Sequence, residues 1–219
     1  MTISCWRALE TRGDLVALRL RDPERMMATE ESGTLVLTVG HSTRSLAEFS
    51  ALLKANAVTR LVDVRTVPRS RHNPQFNLDT LPAELAAQGI AYEHVAGLGG
   101  FRRTHPGSLN TGWRNLSFRG FADYMQTSEF AENVAELIAK AMRERIVLMC
   151  AEAVPWRCHR SLIADSLLVH DLRVEEIISR TRRQARALTA FANVSGTTIT
   201  YPAEAIEEYH SRVRRGKAG

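Results

Sequence analysis

The densest chemistry in this chain lies in "CAEAVPWRCHR", residues 150–160, where Cys150, Glu152, Cys158, His159 and Arg160 follow an apolar run. Cys150, Cys158 and His159 are soft metal donors. However, the seven residues between the cysteines and the adjacent Cys-His pair match none of the usual zinc spacings, so no metal is expected. A thiolate at Cys150 or Cys158, favoured by His159 and by the N-terminus of a following helix, would be a nucleophile. A phosphatase-like loop would need its arginine closer to the cysteine than Arg157 stands to Cys150. The plainer alternative treats both cysteines as small buried apolar residues. Glu152 and Asp63, the latter in "VDVR", each read as a general acid/base or as a structural ion-pair partner, with Arg65 the obvious partner of Asp63. His41, followed by Ser42 in "GHSTR", reads as a proton donor or as part of a phosphate-contacting turn.

The cations point to an anionic ligand. Arg65, Arg69 and Arg71 crowd one short loop together with His72 and Asn73, and Arg102, Arg103, Arg114 and Arg119 crowd a second, longer one. Guanidinium groups suit bidentate contacts to phosphate. Phe76, Phe101, Trp113, Phe118 and Tyr124 are interleaved with them and would either stack on a base or anchor their loops to the core. The stretch "GLGG" has neither the spacing of a dinucleotide fingerprint nor the ending of a P-loop, so no cofactor is expected.

Alternating strand and helix patterns must position these residues. "TLVLTVG" (34–40), "TRLVDVR" (59–65), "IAYEHV" (90–95), "IVLMC" (146–150) and "VEEIIS" (174–179) read as short buried strands. Helical spacing follows in 42–58, 78–89, 121–145, with a break near Thr127 and Ser128, and 160–171. The alternation predicts a three-layer α/β fold, an open and mainly parallel Rossmann-like sheet with helices on both faces. In such sheets the ligand crevice lies beyond the carboxyl ends of the strands. The motifs beginning at His41, Asp63, Gly97 and Cys150 all follow strands. The glycine-rich, basic stretch 96–120 reads as a lid or binding loop.

The chain has 219 residues, enough for one substantial core, with 44% hydrophobic and 24% charged residues, as in globular proteins. No apolar run approaches the roughly 20 residues that span a bilayer, and the N-terminus lacks the uninterrupted apolar core of a secretory signal. No membrane association and a cytoplasmic location are therefore expected. An odd count of three cysteines argues against a disulfide framework. The net charge of +5 favours an anionic small molecule or nucleic acid as partner. Residues 1–32 and the basic 181–219 show little core patterning and read as extensions, the first disordered, around one domain at 33–180.

"TVGHSTR", "LVDVRTVPRSRHNPQFN", "YEHVAGLGGFRR", "GWRNLSFRGFADYM" and "MCAEAVPWRCHRSLIAD", in this order, resemble the family called domain of unknown function 488, over about residues 34–180. The resemblance implies a three-layer α/β fold. It also implies one crevice holding His41, Ser42, Asp63, Arg65, Arg69, Arg71, Cys150, Glu152, Cys158, His159 and Arg160. It implies no reaction. From the residues, the expected function is an enzyme, a hydrolase by class, acting on a nucleotide or nucleic acid through N-glycosidic or phosphate-ester chemistry. In that reading Glu152, Asp63, Cys150, Cys158, His159 and His41 are the catalytic candidates. Ser42, Arg65, Arg69, Arg71, Asn73, Arg119, Tyr124 and Arg160 are the substrate-binding ones. The alternatives are a non-catalytic nucleotide or nucleic-acid module, and a thiol-dependent enzyme using Cys150 or Cys158.

Overall fold

The computed structural model describes residues 33–216; the extension expected at 1–32, with Cys5, lies outside the described residues. The described residues belong to one compact unit. Its first strand, β1 (Leu35–Gly40), is followed by helix α1 (Leu46–Ala55). A capping box starts that helix: the Glu48 N–H donates to Ser45 Oγ at 3.2 Å, and the Ser45 N–H donates to Glu48 Oε2 at 2.9 Å. Strand β2 (Arg60–Asp63), helix α2 (Leu81–Ala86) and strand β3 (Ala91–His94) come next. Helices α3 (Leu116–Tyr124) and α4 (Ser128–Ala141) are separate, because the Thr127 side chain caps the second by accepting from the Phe130 N–H. They lead to β4 (Ile146–Cys150), α5 (Arg160–Val169) and β5 (Arg173–Ile177).

The six-stranded sheet has the order β3-β2-β4-β1-β5-β6, with β6 (Arg183–Ala185) antiparallel at one edge and the other pairings parallel. Alternate side chains of each strand feed two cores. On one face Val147 and Met149 of β4 pack with Phe49, Leu52 and Leu53 of α1 and Leu81 and Leu85 of α2. On the other, Ile146, Leu148 and Cys150 pack with Phe121 of α3, Phe130 and Leu137 of α4, and Leu162 and Leu167 of α5. The expected three-layer α/β architecture is therefore present. Strands β1 and β4 are neighbours, yet the chain leaves β1 for the α1 face and leaves β4 for the α5 face. A cleft opens where adjacent connections part in this way.

Residues after 180 do more than trail from the domain. Beyond β6, strands β7 (Asn193–Ser195) and β8 (Thr198–Thr200) form a hairpin whose turn uses the positive φ of Gly196, and α6 (Ala203–Gly216) follows. Ile199 and Tyr201 are core residues, and Tyr201 is 0% exposed. Its hydroxyl donates to Asp165 Oδ2 at 2.8 Å and its N–H to Asn110 Oδ1 at 2.9 Å, while the Gly112 N–H donates to its carbonyl at 2.8 Å. Packing thus continues past the boundary expected at residue 180, through Ile199 and Tyr201, which alternate with Thr198 and Thr200 at the strand period over a run of only four residues. Among the described residues no helix is long and apolar enough to cross a membrane. Tyr201→Ala should lower stability by about 3–5 kcal/mol, as for other large aromatic-to-alanine changes in cores. Urea denaturation checks this, and an unaltered midpoint would mean that the segment after β6 does not contribute to the cooperative unit.

Candidate functional site

The site begins as a backbone junction between the tips of β1 and β4. The His41 N–H donates to the Cys150 carbonyl at 2.9 Å, and the Ser42 N–H to that of Ala151 at 3.0 Å. Ser42 holds a φ of 52°, a region that residues other than glycine enter rarely. A Cβ on Gly40 would lie 2.0 Å from the Glu152 carbonyl oxygen, so only glycine lets the loop after β4 cross the β1 tip at this height. From the α5 side, Arg160 Nη1 donates to the same Glu152 carbonyl at 2.8 Å. Its Nη2 pairs with Glu176 Oε1 at 2.9 Å, and Thr38 Oγ1 donates to the other oxygen of that carboxylate. Arg160, expected to bind substrate, is buried and instead holds the Glu152 loop.

A second buried pair supports the other side. Asp63 is 0% exposed; Arg65 donates to it through Nε at 2.9 Å and Nη2 at 2.6 Å, and Tyr92 Oη at 2.8 Å. Asp63 does not line the cleft, so its carboxylate is placed as an ion-pair partner rather than as a proton carrier. The remaining donors of Arg65 reach the Phe76 carbonyl at 2.6 Å and His41 Nε2 at 3.4 Å. Since His41 Nδ1–H donates to the Ser42 carbonyl at 2.8 Å, the Nε2 atom is left as the acceptor. Burial, with the charge of Arg65, lowers the His41 pKa and keeps the ring neutral; it stacks on Phe76 with centroids 4.1 Å apart.

The floor of the cleft carries both sulfurs. The Sγ atoms of Cys150 and Cys158 and a ring nitrogen of His159 all lie within 4.8 Å of one another, with Cys158 Sγ 3.8 Å from His159 Nδ1. His159 Nε2–H donates to the Val64 carbonyl at 2.9 Å, which turns the Nδ1 lone pair towards the sulfurs. Gly100 makes room for the ring, since a Cβ there would stand 2.5 Å from Nδ1. A hydrogen bond from the Cys158 thiol outweighs burial and, with His159 and Arg160, holds the Cys150 pKa well below the usual thiol value. The same hydrogen bond and burial push Cys158 up.

The cleft has a volume of about 760 Å³. His41, Ser42, Arg65, Arg69, Asn73, Cys150, Glu152, Cys158 and His159 line it, all of them residues singled out in the sequence. Glu152 is its one carboxylate among the described lining residues, and its Oε1 accepts from the Val154 N–H at 3.2 Å. Besides Asp63 and Arg160, three other candidate residues stand outside. Arg71 is exposed and does not line the cleft. Arg119 is used on its own loop, donating to the Trp113 carbonyl at 3.0 Å. Tyr124 is buried, donates to the Gly97 carbonyl at 2.6 Å, and carries the Arg102 guanidinium 3.5 Å above its ring. The arginines of the long loop therefore do not converge on the cleft.

Sequence reasoning did not place Arg157 among the ligand contacts, although it lines the cleft with Thr43, Thr66 and Ser117. It stands in the short 3-10 turn Pro155–Arg157, where Trp156 and Arg157 are both exposed just before α5.

Comparison with the curated proteins and with solved structures returns no match. A family model does match, over residues 45–167, more than half of the chain and within the stretch where the sequence resemblance lies. That span contains every cleft-lining residue from Arg65 to His159, while His41 and Ser42 fall just before it. The chain belongs to the family described as domain of unknown function DUF488.

Proposed function

We propose that this protein is a hydrolytic enzyme acting on a nucleotide or on a single nucleic-acid strand held in the cleft. One observation carries the reading: unengaged guanidinium groups and exposed aromatic rings occur together at the cleft. Arg69 and Arg157 line it, are exposed, and have no side-chain partner among the described residues. Phe101, also lining, is 80% exposed, and Trp156, directly before Arg157, is 70% exposed. Apolar rings of this size held in water beside free cations suit a ligand with both phosphate and a flat base. The hydroxyls of Ser42, Thr43 and Thr66 line the same cleft as further hydrogen-bond partners.

Catalysis rather than passive binding is favoured by Glu152. It lines the cleft just beyond the β4 tip, with its backbone clamped by Arg160 and its Oε1 accepting from the Val154 N–H. A carboxylate so placed can take a proton from a water molecule as the water oxygen bonds to the electrophilic carbon or phosphorus. The leaving base or alcohol departs with the bonding electrons and is protonated in turn.

Three outcomes test the reading, with labelled single-stranded oligonucleotides and nucleoside phosphates as probes. Glu152→Gln should abolish release of free base, phosphate or shortened strand while leaving Kd within about twofold; unaltered turnover in the folded variant refutes the proton-transfer role. The double variant Arg69→Ala, Arg157→Ala should weaken oligonucleotide binding. It should also make log K against log salt shallower by about 1.4, at roughly 0.7 for each lost phosphate contact to a single strand; an unchanged slope argues against phosphate recognition there. Asp63→Asn should behave differently, costing about 3–5 kcal/mol of stability in urea because it strands the buried Arg65. A fully stable but inactive Asp63→Asn would return Asp63 to the catalytic group.

A further inference from the structure

We propose that Cys150, Cys158 and His159 form a zinc site whose fourth position opens into the cleft. The spacing in sequence argues against this, because the cysteines are separated by seven residues and His159 adjoins Cys158. The fold removes the objection. Cys150 ends β4, whereas Cys158 and His159 immediately precede α5, and the intervening loop turns back so that all three donor atoms fall within 4.8 Å of one another. Tetrahedral zinc, with bonds of about 2.3 Å to sulfur and 2.0–2.1 Å to nitrogen, needs donor separations of roughly 3.5–3.8 Å. The observed 3.8 Å between Cys158 Sγ and His159 Nδ1 is already such an edge.

Two further features suit a metal better than a chance cluster. His159 donates its other ring nitrogen to the Val64 carbonyl, the arrangement that orients a metal-binding imidazole and settles its tautomer. The charges also balance: two thiolates and a neutral imidazole cancel a divalent ion, and the nearby Arg65 and Arg160 are each neutralised by Asp63 and Glu176. All three residues line the cleft, so its open side supplies the fourth ligand position. Uptake replaces the thiol protons by metal–sulfur bonds and releases those protons to the buffer. The metal site does not depend on what Arg69 and Arg157 bind.

The test uses the full-length protein, reduced, stripped with a chelator and titrated with Zn²⁺ or Co²⁺. Elemental analysis should return one zinc per chain. The cobalt form should show thiolate-to-metal charge transfer and the intense visible bands of tetrahedral coordination. Cys150→Ser and Cys158→Ser should remove the charge-transfer bands, and His159→Gln should raise the apparent zinc Kd more than about tenfold. Cys5→Ser should bind as the wild type does. The Arg69→Ala, Arg157→Ala double variant should also keep full metal binding while losing oligonucleotide, which separates failure of this site from failure of the nucleotide reading. A folded, reduced wild type that takes up no cobalt with thiolate bands overturns the proposal. So does Cys150→Ser retaining those bands, or ready formation of a Cys150–Cys158 disulfide with no metal uptake. The wild-type spectrum decides the matter even if a cysteine variant misfolds.

Discussion

The cleft depends on one close approach, that of the Glu152 backbone over Gly40. Any side chain at Gly40 would meet the Glu152 carbonyl, and with the loop lifted the two hydrogen bonds from His41 and Ser42 to the β4 tip would break. Those bonds join neighbouring strands whose connections then run to opposite faces of the sheet, which is where a crevice must open. Glu152, Cys150 and the turn bearing Arg157 all take their positions from this crossing. A glycine that only ended a strand would tolerate alanine at small cost; this one is excluded by contact with backbone.

Buried charge then fixes the two sides. Asp63–Arg65 and Glu176–Arg160 are both withdrawn from solvent, and each guanidinium also holds a main-chain carbonyl, that of Phe76 or of Glu152. A buried ion pair is seldom worth more in stability than well-packed apolar side chains of the same volume, since desolvation offsets the attraction. Its value here is geometric. Each arginine links a strand or helix to the loop that carries cleft residues, and thus ties the β2 and β4 exits to rigid elements. At the cleft the arginines thus differ in role: Arg65 and Arg160 hold its sides through carboxylate partners, while Arg69 and Arg157 have no side-chain partner among the described residues.

The five parallel strands and their helices were legible because each is a run of β-branched or helically spaced apolar residues, and Ser45 with Glu48 marks a helix start on its own. The location of the cleft was legible too, since the polar motifs follow the strands. Roles were harder to read. Nothing in "DVR" says that Asp63 faces the α1 side of the sheet, out of the cleft, and nothing in "CHR" says that Arg160 turns inward to Glu176. Those outcomes depend on strand register and helix rotation, which local sequence does not specify. Ile199 and Tyr201 escape a sequence reading because their strand-period alternation lasts only four residues, in a segment otherwise polar and basic.

The long loop 96–120 shows how such tertiary ties change a functional reading. Its length and glycines suggested a lid, yet the Asp123 carboxylate gathers Thr104, Ser108, Asn110 and the His105 N–H into a single knot. Burial opposes ionisation of Asp123, but these donors outweigh it and lower its pKa. Asn110 is in turn bonded to Tyr201, so the loop is anchored to the core through the C-terminal segment as well. A loop held at both of these points forms a wall. Gly100 and Phe101 are therefore presented to the cleft in a set geometry, with the His159 ring packed against the one and the other left exposed. Preorganisation of this kind reduces the ordering cost of binding. The side chains that line the cleft, Phe101 and Arg69 among them, are thus set by a fixed wall rather than by closure of this loop.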